Sequence, residues 1–240
     1  MTRVALFVTC LIDQLFPHIG DATVRVLERV GCGVTFPPAQ TCCGQATFND
    51  GFWDEARTLA RRFLDAFADA EQIVTPSGSC AAMVREWYPH LFRDDPRDAE
   101  RARAIGHRTY ELSEFLVRVL GRVDVGARFA AAVAYHPSCH GLRGLALREE
   151  PRRLLRAVRD LRLVDLPKAE ECCGFGGFFA VKFSALSGAM LTAKLDAIES
   201  SGAEVVTATD ASCLMHIAGG LARRGSPVRA LHLAELLASG

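Results

Sequence analysis

Nine cysteines in 240 residues are the part of this sequence best suited to chemistry. Eight of them form two matched sets: Cys10, Cys42, Cys43 and Cys80, then Cys139, Cys172, Cys173 and Cys213. As spacings, the first set is C-x31-CC-x36-C and the second C-x32-CC-x39-C. Glycine follows both doublets, in Thr41-Cys42-Cys43-Gly44 and Glu171-Cys172-Cys173-Gly174, and a serine (Ser79, Ser212) precedes each last cysteine. Packing alone gives no reason to repeat one residue type at matching positions. Four thiolates converging in each half are soft, charge-rich donors, suited either to an iron–sulfur cluster or to a structural zinc ion and poorly to magnesium or calcium. Adjacent residues in a strand point opposite ways, so each doublet needs a bent loop to aim both sulfurs inward, and Gly44 and Gly174 supply the freedom for that bend. A strained vicinal disulfide at each doublet is the lesser alternative. Cys32 follows Gly31 at a helix–strand junction, has no counterpart in the second half, and reads as a small buried hydrophobe.

The two sets differ in their neighbours. His136 and His140 flank Cys139 in Tyr135-His136-Pro137-Ser138-Cys139-His140-Gly141, and His216 stands in C-x-x-H spacing from Cys213. The matching segment Val8-Thr9-Cys10-Leu11 carries no histidine. His216 is a candidate metal ligand, or a donor to cluster sulfur that shifts the reduction potential. His136 and His140 are candidate catalytic groups, placed to deliver a proton or steady an anion. Arg143 and Arg148 lie downstream as forked donors for a carboxylate, with solvated surface as the plain alternative for both. His18, His90 and His107 read as hydrogen-bonded loop residues. Gly174-Phe175-Gly176-Gly177 lacks the spacing of a dinucleotide fingerprint and fits close backbone approach to the metal site better.

Cysteines more than thirty residues apart must be gathered by the fold. Val4–Thr9 and Ala130–Tyr135 are apolar, β-branched strand candidates, and Val34–Phe36, Gln72–Thr75 and Glu204–Thr207 are further strands. Asp21–Val30 carries apolar residues at helical spacing up to a glycine, Phe52–Asp69 is a long amphipathic helix, and Ser113 is a fitting N-cap for the helix of Phe115, Leu116 and Val119. Tyr110-Glu111-Leu112-Ser113-Glu114-Phe115-Leu116 and Leu231-His232-Leu233-Ala234-Glu235-Leu236-Leu237 close the two halves in the same form. The reading is an α/β fold of two duplicated halves, residues 1–121 and 122–240, with mostly parallel sheets. In each half the cysteines follow the first, second and third strands, so they meet where the strands' carboxyl ends line one sheet edge.

Half the residues are apolar and 23% are charged, which supports a buried core. Lys+Arg and Asp+Glu are 28 each without a run of like charge, giving no support to nucleic-acid or membrane-surface binding. The opening MTRVALFVTC lacks a signal peptide's longer apolar region, and no stretch is long and apolar enough to span a membrane. The expectation is a cytoplasmic protein, where thiols stay reduced and an odd number of them points to metal more readily than to disulfides.

The duplicated cysteine–CCG–cysteine pattern resembles the cysteine-rich CCG-domain family over nearly the whole chain. Members serve as iron–sulfur subunits of lactate utilization, glycolate oxidase, anaerobic glycerol-3-phosphate dehydrogenase and heterodisulfide reductase systems. The family motif ends in C-x-x-C, whereas Met83 and His216 occupy the final positions here. Where the family uses five thiolates for an enlarged cluster, this chain offers four per half, so a 4Fe-4S cluster, one or two per chain, or zinc in one half is the expectation. The resemblance implies an oxidoreductase component for L-lactate or another small 2-hydroxy acid, passing electrons to partner iron–sulfur subunits, since no ferredoxin-type C-x2-C-x2-C-x3-C-P run is present. Thiol–disulfide reduction and a zinc-stabilised, non-catalytic scaffold are the alternatives.

Overall fold

In the computed structural model, which describes residues 1–240, the chain alternates short parallel strands with helices. The first half runs β1 (Arg3–Leu6), α1 (Cys10–Leu15), α2 (Pro17–Arg29), β2 (Gly33–Thr35), α3 (Gln45–Asn49), α4 (Trp53–Ala66), β3 (Ile73–Thr75), α5 (Gly78–Ala82), α6 (Tyr88–Leu91), α7 (Pro96–Gly106), β4 (Thr109–Glu111) and α8 (Leu112–Glu114). One π-helical turn, Met83–Trp87, joins α5 to α6, and another, Phe115–Val119, extends α8. The second half runs β5 (Arg128–Tyr135), a π-helical turn at His140–Gly144, α9 (Glu150–Ala157), β6 (Arg159–Val164), α10 (Phe179–Lys182), α11 (Ser184–Ser200), β7 (Val205–Ala208), α12 (Ala211–Arg224), β8 (Arg229–His232) and α13 (Leu233–Ala238).

Two four-stranded sheets result, ordered β2-β1-β3-β4 and β6-β5-β7-β8, with every pairing parallel. The first crossover moves to one side of the opening strand and the next to the other, so the winding reverses between β1 and β3 and between β5 and β7. That reversal opens a crevice beyond the strands' carboxyl ends. The segments after these strands carry Cys10 and Cys80 in one half, and Cys139 and Cys213 in the other.

Strand alternation divides the core. Val4, Leu6 and Val8 join a cluster of 28 buried residues shared by both halves, while Ala5 and Phe7 face a separate first-half cluster with Phe63, Phe67 and Tyr88. In β5, Val133 and Tyr135 enter the shared cluster and Ala134 faces the second half's own core with Ile198 and Val206. The shared core exists because the halves exchange packing partners. Helix α13 lies against α2, and α8 with its π turn lies against α9. Arg29, ending α2, donates to the carbonyls of Leu237 and Ala238 at 3.1 and 3.0 Å, and Arg118 pairs with Glu150 at 2.8 Å. No helix is long and apolar enough to cross a membrane.

The helix read from Ser113 begins earlier. Glu111, the last residue of β4, is its N-cap, and the carboxylate accepts from the backbone N–H groups of Ser113 at 2.8 Å and Glu114 at 3.2 Å. His232 does the same for α13, accepting at Nδ1 from Ala234 N–H at 3.1 Å, while Glu235 accepts from its backbone N–H to complete a capping box.

Candidate metal centres facing one cavity

Each quartet is assembled from a doublet loop and two segments that follow strands: Cys10 opens α1 and Cys80 lies in α5, while Cys139 precedes a π-helical turn and Cys213 lies in the first turn of α12. Thr9, just before Cys10, holds φ +78, a conformation costing about 1–3 kcal/mol for a residue with a side chain. Gln40 braces the doublet loop by imitating a strand residue: its Oε1 accepts from Val8 N–H at 2.9 Å and its Nε2 donates to Leu6 O at 3.0 Å. Gly44, at φ +81, then turns its N–H back onto Cys42 Sγ at 3.3 Å. Cys10 and Cys42 sulfurs lie 3.5 Å apart, and Cys43 and Cys80 sulfurs 3.3 Å apart. Tyr88 donates its hydroxyl to Cys43 O at 2.9 Å from within the core.

The second half repeats this geometry in tighter surroundings. Gly174, at φ +89, donates its N–H to Cys172 Sγ at 3.3 Å, and a Cβ there would stand 2.6 Å from Ser187 O. Ser187 Oγ donates to Gly174 O at 2.8 Å. Lys194, buried, donates to the carbonyls of Lys168 at 2.8 Å and Ala169 at 3.2 Å, bracing the approach to the doublet. Cys139 contacts Cys172, and Cys173 contacts Cys213. The donor atoms of His136, Cys173 and Cys213 all lie within 4.8 Å of one another.

The two quartets are not separate sites on opposite edges. All eight cysteines line one cavity of about 350 Å³ between the halves, together with Gln45, Asn49, His140 and Asp210. Asp210 spans the seam. It occupies the N-cap position of α12 yet makes no capping bond to its own helix. Its carboxylate accepts instead from Ser77 Oγ at 3.0 Å, Ser79 Oγ at 2.6 Å and Ser79 N–H at 3.1 Å, at the start of α5, the helix that carries Cys80. Burial, then the nearby Cys213, pushes this carboxyl up to about 7. Gly78 leaves no room beside it, since a Cβ would stand 3.2 Å from Gly141 Cα of the other half.

The sulfurs share protons unequally. Cys42 is held down to about 3, first by the hydrogen bond from Cys10 and then by Cys43 and the Gly44 N–H. Cys172 is held down to about 2 by Cys139, Cys173 and the Gly174 N–H. Their partners Cys10, Cys43, Cys139 and Cys173 are pushed up by those same neighbours and by burial. Four thiols this close cannot all ionise without a cation between them. The donor set therefore fits a thiolate-bound metal group, and the imidazole of His136, fully buried with no nitrogen or oxygen partner and set against the Cys213 sulfur, fits it as well.

The other residues singled out in the sequence fall in different places. His140 lines the cavity, with Nε2 at 3.3 Å from Gln45 Nε2, and burial lowers its pKa. Arg143 is exposed, donates to Glu170 O at 3.0 Å, and shares an adjoining cleft with His140 and Trp87. Arg148 pairs with Glu170 at 2.9 Å on the surface. His216 is half-buried, with Nε2 at 3.4 Å from Ser187 Oγ and its ring beside Phe175. Met83 is fully buried in the first-half core, and Cys32 is buried in the shared one. Asp210, Gln40 and Lys194 drew no notice in the sequence. One signal for Asp210 was present: it stands three residues before Cys213, as the capping residue Ser77 stands three before Cys80.

The model of the cysteine-rich domain (CCG) family matches residues 4–85 and again 133–218. The chain is 49% identical over 235 residues to lactate utilization protein A of Geobacillus thermodenitrificans, covering 98% of each. It is 50% identical over 242 residues to that of an Exiguobacterium species, covering 100% of this chain and 98% of the relative. With that of Bacillus subtilis the identity is 46% over 237 residues, 99% of each. Among solved structures, a putative Asp/Glu racemase from Yersinia pestis aligns over 99% of this chain and 96% of its own at a TM-score of 0.38 and 12% identity. With both halves matched by one family and relatives of nearly half-identical sequence along its full length, the chain belongs to the cysteine-rich CCG-domain family.

Proposed function

We propose that this chain is an iron–sulfur-binding component of an L-lactate oxidising system, delivering electrons to partner iron–sulfur proteins. The observation that carries the reading is the convergence of all eight repeated cysteines on one cavity. The relatives' names supply the substrate. Cys10, Cys42, Cys43 and Cys80 would hold one cluster, and Cys139, Cys172, Cys173 and Cys213 another. A cluster so held takes up and gives back one electron at a time. Oxidation of L-lactate to pyruvate releases two electrons and two protons, which matches two one-electron sites opening on a common space.

The chain's own residues perform the rest. The Gly44 and Gly174 N–H groups stabilise the first thiolate of each doublet. His140, on the cavity wall, is placed to accept the substrate's hydroxyl proton. Arg143, in the adjoining cleft, is placed to attract the carboxylate. The seam formed by Asp210, Ser77 and Gly78 against Gly141 holds the two halves together beside the space.

Anaerobic purification with iron, zinc and sulfide analysis tests this. Equal iron and sulfide are expected, with Cys43→Ser and Cys173→Ser each removing about half. A protein carrying zinc alone, or no metal, overturns the reading. The shared cavity also favours a second reading, in which a substrate disulfide bound in it takes up two electrons from the partner proteins and two protons to give two thiols. Turnover of disulfides but not of lactate with the partner proteins present would select it.

A further inference from the structure

The quartets are copies, but the residue three positions before each opening cysteine is not. On β1 the face carrying Ala5 and Phe7 meets the first half's own core, where the Phe7 ring packs edge-on against Phe63 at 4.8 Å and Phe67 at 5.7 Å. On β5 the matching face carries Ala134, and the residue two further along, in the place of Phe7, is His136. A position that is wholly hydrocarbon in one half is an imidazole in the other.

That imidazole is 0% exposed, and neither Nδ1 nor Nε2 has a nitrogen or oxygen partner; its one polar neighbour is the Cys213 sulfur. Buried polar groups are almost always paired, so an orphan of this kind calls for a specific explanation. The contrast with the other histidines of this half is direct. Fully buried His232 accepts the Ala234 N–H at Nδ1, leaving Nε2 alone without a partner, and half-buried His216 meets Ser187 Oγ at 3.4 Å. What His136 does face is sulfur: its ring nitrogen and the Cys173 and Cys213 sulfurs fall within 4.8 Å of one another. Neutral imidazole is a good ligand for iron as well as zinc. Metal–nitrogen and metal–sulfur bonds of roughly 2.0–2.3 Å would close that span with small side-chain movements.

We propose that His136 is a ligand of the second metal centre, giving it a mixed thiolate–imidazole donor set where the first centre has thiolates alone. The inference rests on the iron–sulfur reading of the quartets and adds to it a chemical difference between them. A neutral imidazole beside the thiolates leaves the charge of the second centre unchanged but makes its donor set unlike the first, so the two centres would differ in reduction potential.

The test is pulsed paramagnetic resonance on the reduced holoprotein, with histidine alone labelled by nitrogen-15. Wild type should show a nitrogen-15 coupling of metal-bound strength. His136→Phe, which copies the first half, should lose that coupling and shift the potential of one centre while the other is unmoved. His216→Phe should retain the coupling. If His136→Phe does not fold, His136→Gln is expected to give the same loss. A wild type with full iron and sulfide but no histidine nitrogen coupling overturns the proposal and leaves the iron–sulfur reading standing. So does a coupling that survives either His136 substitution. A wild type without iron and sulfide overturns both.

Discussion

Gly44 and Gly174 make the same hydrogen bond to sulfur from nearly the same backbone angle, yet they tolerate a side chain differently. At Gly44 an added Cβ would sit 3.4 Å from Leu59 Cβ, ordinary contact, so Gly44→Ala carries only the left-handed backbone cost of about 1–2 kcal/mol. At Gly174 the same carbon would lie 2.6 Å from Ser187 O and 3.0 Å from Met190 Cβ, and nothing flexible can yield. Gly174→Ala is expected to cost ~3 kcal/mol or more and to empty the second quartet, while Gly44→Ala keeps both. Thermal denaturation with iron counting on the two variants checks this; equal losses would refute it. Glu111 supplies a pH dependence. Burial, ahead of the opposing hydrogen bonds from Ser113 and Glu114, pushes its carboxyl up to about 8. The folded protein thus keeps a proton that the unfolded chain has released by about pH 5, so stability falls as pH rises from about 5 to about 8. Glu111→Gln should gain on wild type over that window, on the order of 2–4 kcal/mol by pH 8.5. Denaturant midpoints measured across the range check it, and parallel curves would sink the claim.

The elements show why the sequence was legible in some places and opaque in others. Both opening strands were readable because apolar, β-branched residues run up to a cysteine in each, and the observed strands, Arg3–Leu6 and Arg128–Tyr135, overlap the expected runs. Helix α2 was found from its periodicity but starts at Pro17 rather than Asp21, because proline suits the first helical position, where its missing N–H costs nothing. Ser113 reads as a cap because serine is a usual one. The strand's own last residue, Glu111, has the reach to take two orphan N–H groups, and no local pattern reveals that. The eight cysteines were legible as two sets because the spacing repeats. That the sets face each other was not, since the packing of α2 on α13 and of α8 on α9 leaves no trace in spacing. His136 and Phe7 can be aligned from sequence, but the approach of the imidazole to the Cys173 and Cys213 sulfurs belongs to the folded core alone.

At the scale of the molecule, one core and one cavity are each built by both halves, so the two sheets should not unfold separately. Leu237, fully buried in α13, contributes to the shared cluster although α2 belongs to the other half. Leu237→Ala is expected to cost about 2–5 kcal/mol and to lower the stability of both halves together, in a single transition. Calorimetry on the metal-loaded variant would show two separated transitions if the halves were independent. Residues 1–121 expressed alone should likewise expose the apolar faces of α2 and β1, aggregate, and bind metal poorly. A stable, metal-loaded fragment would contradict the shared-core account.

The exchange of terminal helices also bears on ancestry and freedom to change. A lone unit of this kind would bury the same faces by pairing with an identical copy across a twofold axis, helix for helix, as an isologous dimer. In such a dimer every substitution is made twice, and no position can be phenylalanine on one side and histidine on the other. Joining the units in one polypeptide removes that constraint. Phe7 opposite His136, and Ser77 opposite Asp210, are differences that a symmetric pair could not have held.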